Sequence, residues 1–280
     1  MRRISRPGYV LTAAPGGIYN IIVSYPRERS KTDQKELYIR SVRISRRIPE
    51  ESYLSALPVV RELAKLPEGL RFDSRVTFLV GENGVGKSTL IEAVAIAMGF
   101  NPEGGTVNFN FRTEDTHSEL YRYITVSKGF RRHLDGFFLR AESFYNVATN
   151  IDEMDREDSL GAPVIMSYGG VSLHRQSHGE SFMALVKNRF GGNGLYILDE
   201  PEAALSPMRQ LELMGYINEL VRKNSQFIIS THSPILMTFP DADVIELSDS
   251  IRRVPYFETE HFRAARRLIN APEKTREYLR

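Results

Sequence analysis

The stretch that most constrains this chain is Val76-Thr77-Phe78-Leu79-Val80 running directly into Gly81-Glu82-Asn83-Gly84-Val85-Gly86-Lys87-Ser88. A short apolar run has the length of a buried strand. Residues Gly81 to Ser88 then fit the pattern G-x-x-x-x-G-K-[ST], in which each fixed position has a physical task. The glycines let backbone N–H groups close around phosphate oxygens, Lys87 neutralises β/γ charge, and Ser88 would hold a magnesium ion. Glu82, Asn83 and Val85 carry further loop amides, and Thr89 opens a segment with apolar residues at Leu90, Ile91, Val94 and Met98. That spacing predicts a helix from Thr89 to Met98, stopped by Gly99, with its positive end toward the phosphates.

Composition narrows the class. With 280 residues, no cysteine, 41% hydrophobic and 26% charged residues, the chain fits one large or two small domains. Disulfides and thiolate metal sites are excluded. Near the start, Pro7, Gly8, Pro15, Gly16 and Gly17 interrupt any apolar signal core, and no run approaches a membrane span, so a cytoplasmic location is expected. The net charge of +2 is too small to argue for nucleic acid. Arg43, Arg46 and Arg47, then Arg131 and Arg132, then Arg263, Arg266 and Arg267 read as solvated faces.

In chain order, Tyr19 to Ser24 and Glu36 to Ser45 read as antiparallel strands, with a short helix near Val59 to Leu66. Tyr53 is a candidate for stacking on a base. Phe137 to Ala141 reads as a second buried strand ending at Glu142, and the acidic then glycine-rich span Ala148 to Gly170 as an exposed, mobile segment. Ser177 and Glu180 have capping-box spacing before a helix with Phe182, Leu185 and Val186 on one face. Leu195 to Leu198 is a third buried strand, ending in Asp199-Glu200. Ser206 and Pro207 then open a long helix with Leu211, Met214, Ile217, Leu220 and Val221 as its apolar face. Gln226 to Ile229 is a fourth strand, ending at Ser230-Thr231-His232, and Val244 to Leu247 a last one; the tail from Glu260 is arginine-rich and helical. Strands ending at Val80, Ala141, Leu198 and Ile229 can lie parallel with helical crossovers. Ligands bind at the carboxyl ends of such strands, so Lys87, Glu142, Asp199, Glu200 and His232 are expected to meet in one crevice.

With these pieces in order, the sequence resembles the ABC-type ATPases, and especially the soluble branch of chromosome-maintenance and DNA-repair ATPases, including compact bacterial AAA-family ATPases. The likeness runs from about Phe72 to Leu247. GENGVGKS looks like Walker A, QSHGES like the ABC signature, LYILDEPE like Walker B, AALS like the D-loop and STHSP like the switch-histidine loop. The resemblance implies an α/β P-loop NTPase fold: a mostly parallel core sheet, N-terminal antiparallel strands and a short helical lobe. One ABC-type domain would span 1–250, with antiparallel strands in 1–75, the nucleotide-binding core in 76–110, 133–145 and 190–250, and the lobe in 111–132 and 146–189. Residues 251–280 would be a basic tail.

The same resemblance assigns roles. Residues Gly81, Glu82, Asn83, Gly84, Val85, Gly86, Lys87, Ser88 and Thr89 would bind ATP; Ser88, Asp199 and Glu142 would order Mg2+; Glu200 would polarise the attacking water and His232 would contact the γ-phosphate. Ser177 and Gly179 would reach the γ-phosphate of a second protomer in an ATP-dependent, head-to-tail homodimer. Two departures stand out: Gln176, His178 and Glu180 in the signature, and Glu142 where transporters carry glutamine. Three functions are then open. One is an ATP-hydrolysing switch for a partner protein or nuclease in genome maintenance or phage defence, with DNA a weakly supported partner. Another is the nucleotide-binding subunit of a transporter. A GTPase is the third, although no N-K-x-D guanine motif occurs.

Overall fold

The computed structural model describes residues 8–13, 19–24, 36–106, 117–142, 144–155, 164–271 and 273. The chain forms two compact units, Met1–Asp33 and Gln34–Arg280. In the first, strand β1 (Gly8–Ala13) pairs antiparallel with β2 (Tyr19–Ser24), Gly8 opposite Ser24. The sequence alone predicts β2 but presents Gly8 as a breaker. Gly8 instead occupies the end of its strand, where a residue lacking a side chain weakens little, and Tyr9, Val10 and Thr12 have the β-branched and aromatic character strands favour.

The second unit runs β3 (Ile39–Ile44), a helical turn (Tyr53–Ala56), α1 (Pro58–Ala64), β4 (Leu70–Arg71), β5 (Val76–Val80) and α2 (Lys87–Ala97). Then come β6 (Ile124–Lys128), β7 (Asp135–Arg140), α3 (Phe144–Met154), α4 (His178–Arg189), β8 (Gly194–Asp199) and α5 (Pro207–Arg222). The chain continues through β9 (Gln226–Ser230), β10 (Asp243–Leu247), β11 (Ile251–Arg253) and α6 (Glu260–Asn270). Strands β4, β3 and β6 make a small antiparallel sheet, so Glu36 to Ser45 does contain an antiparallel strand, but its partners are β4 and β6. The main sheet has the order β11-β10-β5-β9-β8-β7, in which β10, β5, β9, β8 and β7 are all parallel and β11 runs against β10. This is the P-loop NTPase architecture that the motifs predict.

Why the central strands read as continuous apolar runs is clear from what covers them. Phe78, Val80, Phe137, Leu139, Tyr196, Leu198, Phe227 and Ile229 face one buried cluster with residues of α3, α4 and α5. Leu79, Phe138, Leu195, Ile197 and Ile228 face a second, with residues of α1, α2 and the small sheet. Side chains alternate with period two, yet both faces are dry. Each such side chain contributes about 1.5–3 kcal/mol on burial. A buried amide ties the two sheets together: Gln226 Oε1 accepts from the N–H of Tyr38 (2.8 Å) and Ile39 (2.9 Å), and its Nε2 donates to Ile39 O (2.9 Å).

Two expectations are corrected. The acidic span from Ala148 suggests an exposed, mobile segment, but through Met154 it belongs to α3, whose Phe144, Val147, Ala148 and Ile151 lie in the core at i, i+3, i+4, i+7 spacing. Of the acidic residues that suggest exposure, Asp152 and Glu153 lie on the other face of this helix; residues 156–163 lie outside the described set. On α5 the buried face is Gln210, Leu213, Ile217 and Leu220, and Leu211 is half exposed. Gln210 takes an inward position because its Nε2 donates to Leu205 O and its Oε1 accepts from Ser233, a satisfied polar pair that apolar counting overlooks. The tail from Glu260 is helical to Asn270, and residues 272 and 274–280 lie outside the described set.

Candidate functional site

Strand β5 delivers the phosphate loop into a narrow gap. Gly81 has φ +151 and an added Cβ would lie 2.1 Å from Leu247 O, while Gly86, at φ +97, would press a Cβ to 2.6 Å from Val59 Cγ1. Both positions therefore require glycine. Lys87 is buried, its Nζ donating to Gly81 O (2.8 Å) and Glu82 O (3.0 Å), so the ammonium is curled back over its own loop. Burial lowers its pKa, opposed by the carboxylates of Glu200, Asp199, Glu82 and Glu202. Glu82, Asn83 and Gly84 form the exposed crest, Val85 is buried beneath it, and Thr89 lies in the first turn of α2.

The ends of the neighbouring parallel strands supply the rest. Ser88 Oγ donates to Asp199 Oδ1 at 3.2 Å, setting a hydroxyl and a carboxylate side by side at the mouth of the loop. Asp199 is buried, which raises its pKa, with Arg140 and the Ser88 hydroxyl acting in the other direction. Two hard oxygen donors beside a phosphate loop, one a buried carboxylate, suit a magnesium ion. After Asp199 the backbone turns sharply, leaving Glu200 in the left-handed region (φ 50, ψ 52), its N–H donating to Ser230 O at 3.1 Å. From β9, His232 places Nε2 3.4 Å from Glu200 Oε1. That nitrogen is buried and has no hydrogen-bond partner among the described residues. Burial lowers the pKa of His232, and nearby Lys87 adds to the effect. Its backbone N–H donates to Glu202, whose carboxyl is pushed up by its own burial.

Lys87, Ser88, Asp199, Glu200 and His232 thus stand together at one end of the main sheet. Glu142 stands apart: its carboxylate is 85% exposed and lies 3.6 Å from Arg140 Nη2, with no ion pair or hydrogen bond to Ser88 or Asp199. The reason is Arg140, the last residue of β7, whose Nε lies 3.7 Å from Asp199 Oδ2 and whose guanidinium also pairs with buried Glu92. Ser177 and Gly179 stand at the start of α4, and no hydrogen bond or ion pair among the described residues joins them to the phosphate loop. The N–H and hydroxyl of Ser177 both donate to Glu180 (3.1 and 2.6 Å), which lowers the pKa of Glu180, and Gly179 packs near Ala204 O. Tyr53 is largely exposed and its hydroxyl donates to Ser118 Oγ at 3.0 Å.

Three residues at this site carry no signal in the sequence. Arg140 looks like the end of an apolar strand, Glu92 like the polar face of a helix, and His261 like part of a basic tail. Yet Glu92 accepts from Ser118 N–H at 2.6 Å and from Arg140, and His261 Nε2 lies 3.0 Å from His232 Nδ1. Glu202 falls within the DEPE run but attracts no role until its contact with His232 is visible.

Comparison with known proteins places these features in a family. A model described as "AAA domain" matches residues 65–155 and one described as "AAA ATPase domain" matches residues 176–237. An uncharacterized ABC transporter ATP-binding protein of Haemophilus influenzae is 25% identical over 188 residues, 62% of this chain and 70% of that protein. The cytochrome c biogenesis ATP-binding export protein CcmA of Rhizobium etli is 30% identical over 174 residues, 56% of this chain and 75% of that protein. Among solved structures, the SMC head domain from Thermotoga maritima aligns with TM-score 0.36 and 19% identity over 66% of this chain and 92% of that one. With its phosphate loop on β5, its Asp199-Glu200 pair on β8 and three quarters of an ATP-binding relative spanned at 30% identity, the chain belongs to the ABC-type ATPases.

Proposed function

We propose that the chain hydrolyses ATP at this strand-end site and acts as an ATP-gated homodimer that switches a partner protein or nuclease. The observation that carries the reading is the pairing of two neighbouring contacts, Ser88 with Asp199 and His232 with Glu200, at the mouth of one phosphate loop. Phosphoryl transfer to water needs charge neutralisation and a positioned nucleophile, with little covalent work from the protein. Lys87 and the loop amides from Gly81 to Thr89 hold the phosphates. Ser88 and Asp199 hold Mg2+, which when bound offsets charge on the phosphate oxygens. Glu200 orients a water molecule and accepts its proton as the oxygen attacks the γ-phosphorus and ADP departs. His232 donates from Nε2 to a γ-phosphate oxygen. In this reading Glu142 acts on the metal site only through Arg140.

Ser177 and Gly179 lie at the start of α4, where backbone N–H groups favour an anion, and the family resemblance assigns them to the γ-phosphate of a second copy. The partner reading, with a role in genome maintenance or phage defence, rests on the soluble-branch wording of the motifs. The relatives' names favour a second reading, a transporter's nucleotide-binding subunit, against which stands the exposed Glu142 held by Arg140. Among the described residues no helix is long and apolar enough to cross a membrane.

Size-exclusion chromatography with light scattering, with and without ATP and Mg2+, tests the mechanism. Glu200→Gln keeps the shape of the site while lowering turnover by about two to four orders of magnitude, and accumulates dimer because bound ATP favours that state. Glu200→Gln with Ser177→Arg remains monomeric, since bulk and positive charge then occupy the shared site. Wild-type turnover in the first variant, or equal dimerisation in both, would refute the reading. Capture of a permease by the tagged chain in its own host would move the assignment to the transporter.

A further inference from the structure

The His232 switch residue does not stand alone. Its Nδ1 lies 3.0 Å from Nε2 of His261, which comes from the first turn of α6, twenty-nine residues further along. The two rings are inclined at 60° with centroids 5.0 Å apart, an arrangement in which one nitrogen meets the other edge-on. His261 is held there by its neighbour Thr259, which is fully buried, caps α6 by accepting from Phe262 N–H, and donates to Tyr256 O at 2.7 Å. Glu82, on the crest of the phosphate loop, lies 3.7 Å from the same His261 nitrogen. The C-terminal helix therefore touches both sides of the crevice through one imidazole.

Two ring nitrogens at this distance share one proton, and the surroundings decide whose it is. On the far side of His232, Nε2 faces the Glu200 carboxylate at 3.4 Å. A lone pair there would oppose a carboxylate, so Nε2 carries hydrogen. Burial and the Lys87 ammonium disfavour the doubly protonated ring, which leaves Nδ1 bare and able only to accept. We propose that His261 is a positioning residue for the ATPase reaction: its Nε2–H donates to Nδ1 of His232, fixing the tautomer and ring orientation in which His232 Nε2–H is presented to the γ-phosphate. Glu82 supports His261 as donor by placing negative charge beside it. The second nitrogen of an imidazole commonly sets what the first can do. This inference rests on the ATPase reading above for its kinetic consequence, but the tautomer is a property of the protein itself.

The experiment uses the full chain with ring-labelled histidine and two variants. Gln places an amide donor close to the position of imidazole Nε2, whereas Leu removes the donor and keeps bulk. Ring-nitrogen NMR without nucleotide is expected to show His232 with a protonated Nε2 and a hydrogen-bonded, unprotonated Nδ1 in wild type and His261→Gln, and a non-hydrogen-bonded Nδ1 in His261→Leu. With ATP and Mg2+, His261→Leu is expected to lower kcat about ten- to a hundred-fold at unchanged KM, the scale on which orienting partners act, and His261→Gln to recover most of that loss. A proton on Nδ1 of wild-type His232 would overturn the proposal, as would kcat within about twofold of wild type in His261→Leu. Equal losses in both variants with raised KM would assign His261 a purely structural role and likewise overturn it. If wild type turns over no ATP, the ATPase reading fails, and the nitrogen spectra alone decide whether His261 sets the tautomer.

Discussion

On the β8 flank of the crevice, Arg140 sits among Glu92, Asp199 and Glu142, and two of those carboxylates are almost completely buried. On the β9 flank, His232 meets Glu200 and His261, His261 in turn meets Glu82, which is 73% exposed, and α6 has no buried residue along its length. The first flank is set by packing: removing Arg140 would leave two buried carboxylates, Glu92 and Asp199, without their cation. The second is set by a few directional contacts at the edge of the fold. Buried ion pairs are costly to break, whereas contacts near solvent open and close at little cost. The part of the site expected to hold metal is thus built into the core, and the part expected to sense the γ-phosphate rests on fewer contacts nearer the surface.

The largest effect that tests this contrast is Glu92→Ala. It leaves Arg140 facing Asp199 and the exposed Glu142, and Ser118 N–H without its acceptor, and is expected to cost about 3–5 kcal/mol in urea unfolding. A loss below about 1 kcal/mol would show that Arg140 re-pairs freely and that the β8 flank is no more rigid than its counterpart.

Next is Lys87→Ala, which separates binding from folding. Burial already lowers the pKa of this ammonium, so its removal is expected to leave unfolding nearly unchanged while nucleotide affinity falls. Loss of a charge-assisted hydrogen bond of about 1.5–3 kcal/mol corresponds to roughly ten- to 150-fold weaker ATP binding by calorimetry. Unchanged affinity and turnover in the folded variant would break the phosphate-loop assignment, and a clear preference for GTP would break the adenine one.

The smallest effect concerns pH on the β9 flank. His232 has a pKa below its ordinary 6.5 because burial and Lys87 disfavour the cation. As pH falls, the unfolded chain takes up this proton first, so the group's contribution is complete above about pH 6.5 and is lost progressively below it. His232→Phe is expected to flatten that decline in urea midpoint between pH 7 and 5, chosen as about one to two units around the ordinary value. An identical slope in both proteins would mean that other groups govern acid stability.

Motif spacing made the β8 and β5 ends of the crevice legible, because phosphate chemistry restricts which residues serve at Gly81, Gly86, Lys87 and Asp199. The parallel order of β10, β5, β9, β8 and β7 agrees with apolar runs that are buried on both faces. What escaped were partners fixed only by tertiary placement. Glu92 lies on α2 and Arg140 at the end of β7, and nothing local distinguishes a buried glutamate from a solvated one until the two meet. His261 was hidden by its company, since an arginine-rich helix reads as surface. Ala148 misled in the opposite direction: its acidic neighbours outweighed an i, i+3, i+4, i+7 pattern beginning at Phe144.

Gln226 ties the first residue of β9 to the first residue of β3 across 187 positions, closing one of the longest loops in the fold. Closing a loop of that length costs conformational entropy, which the contact has to offset. Replacing Gln226 by Leu would therefore orphan the buried N–H groups of Tyr38 and Ile39 and loosen the small sheet from the main one at a single position.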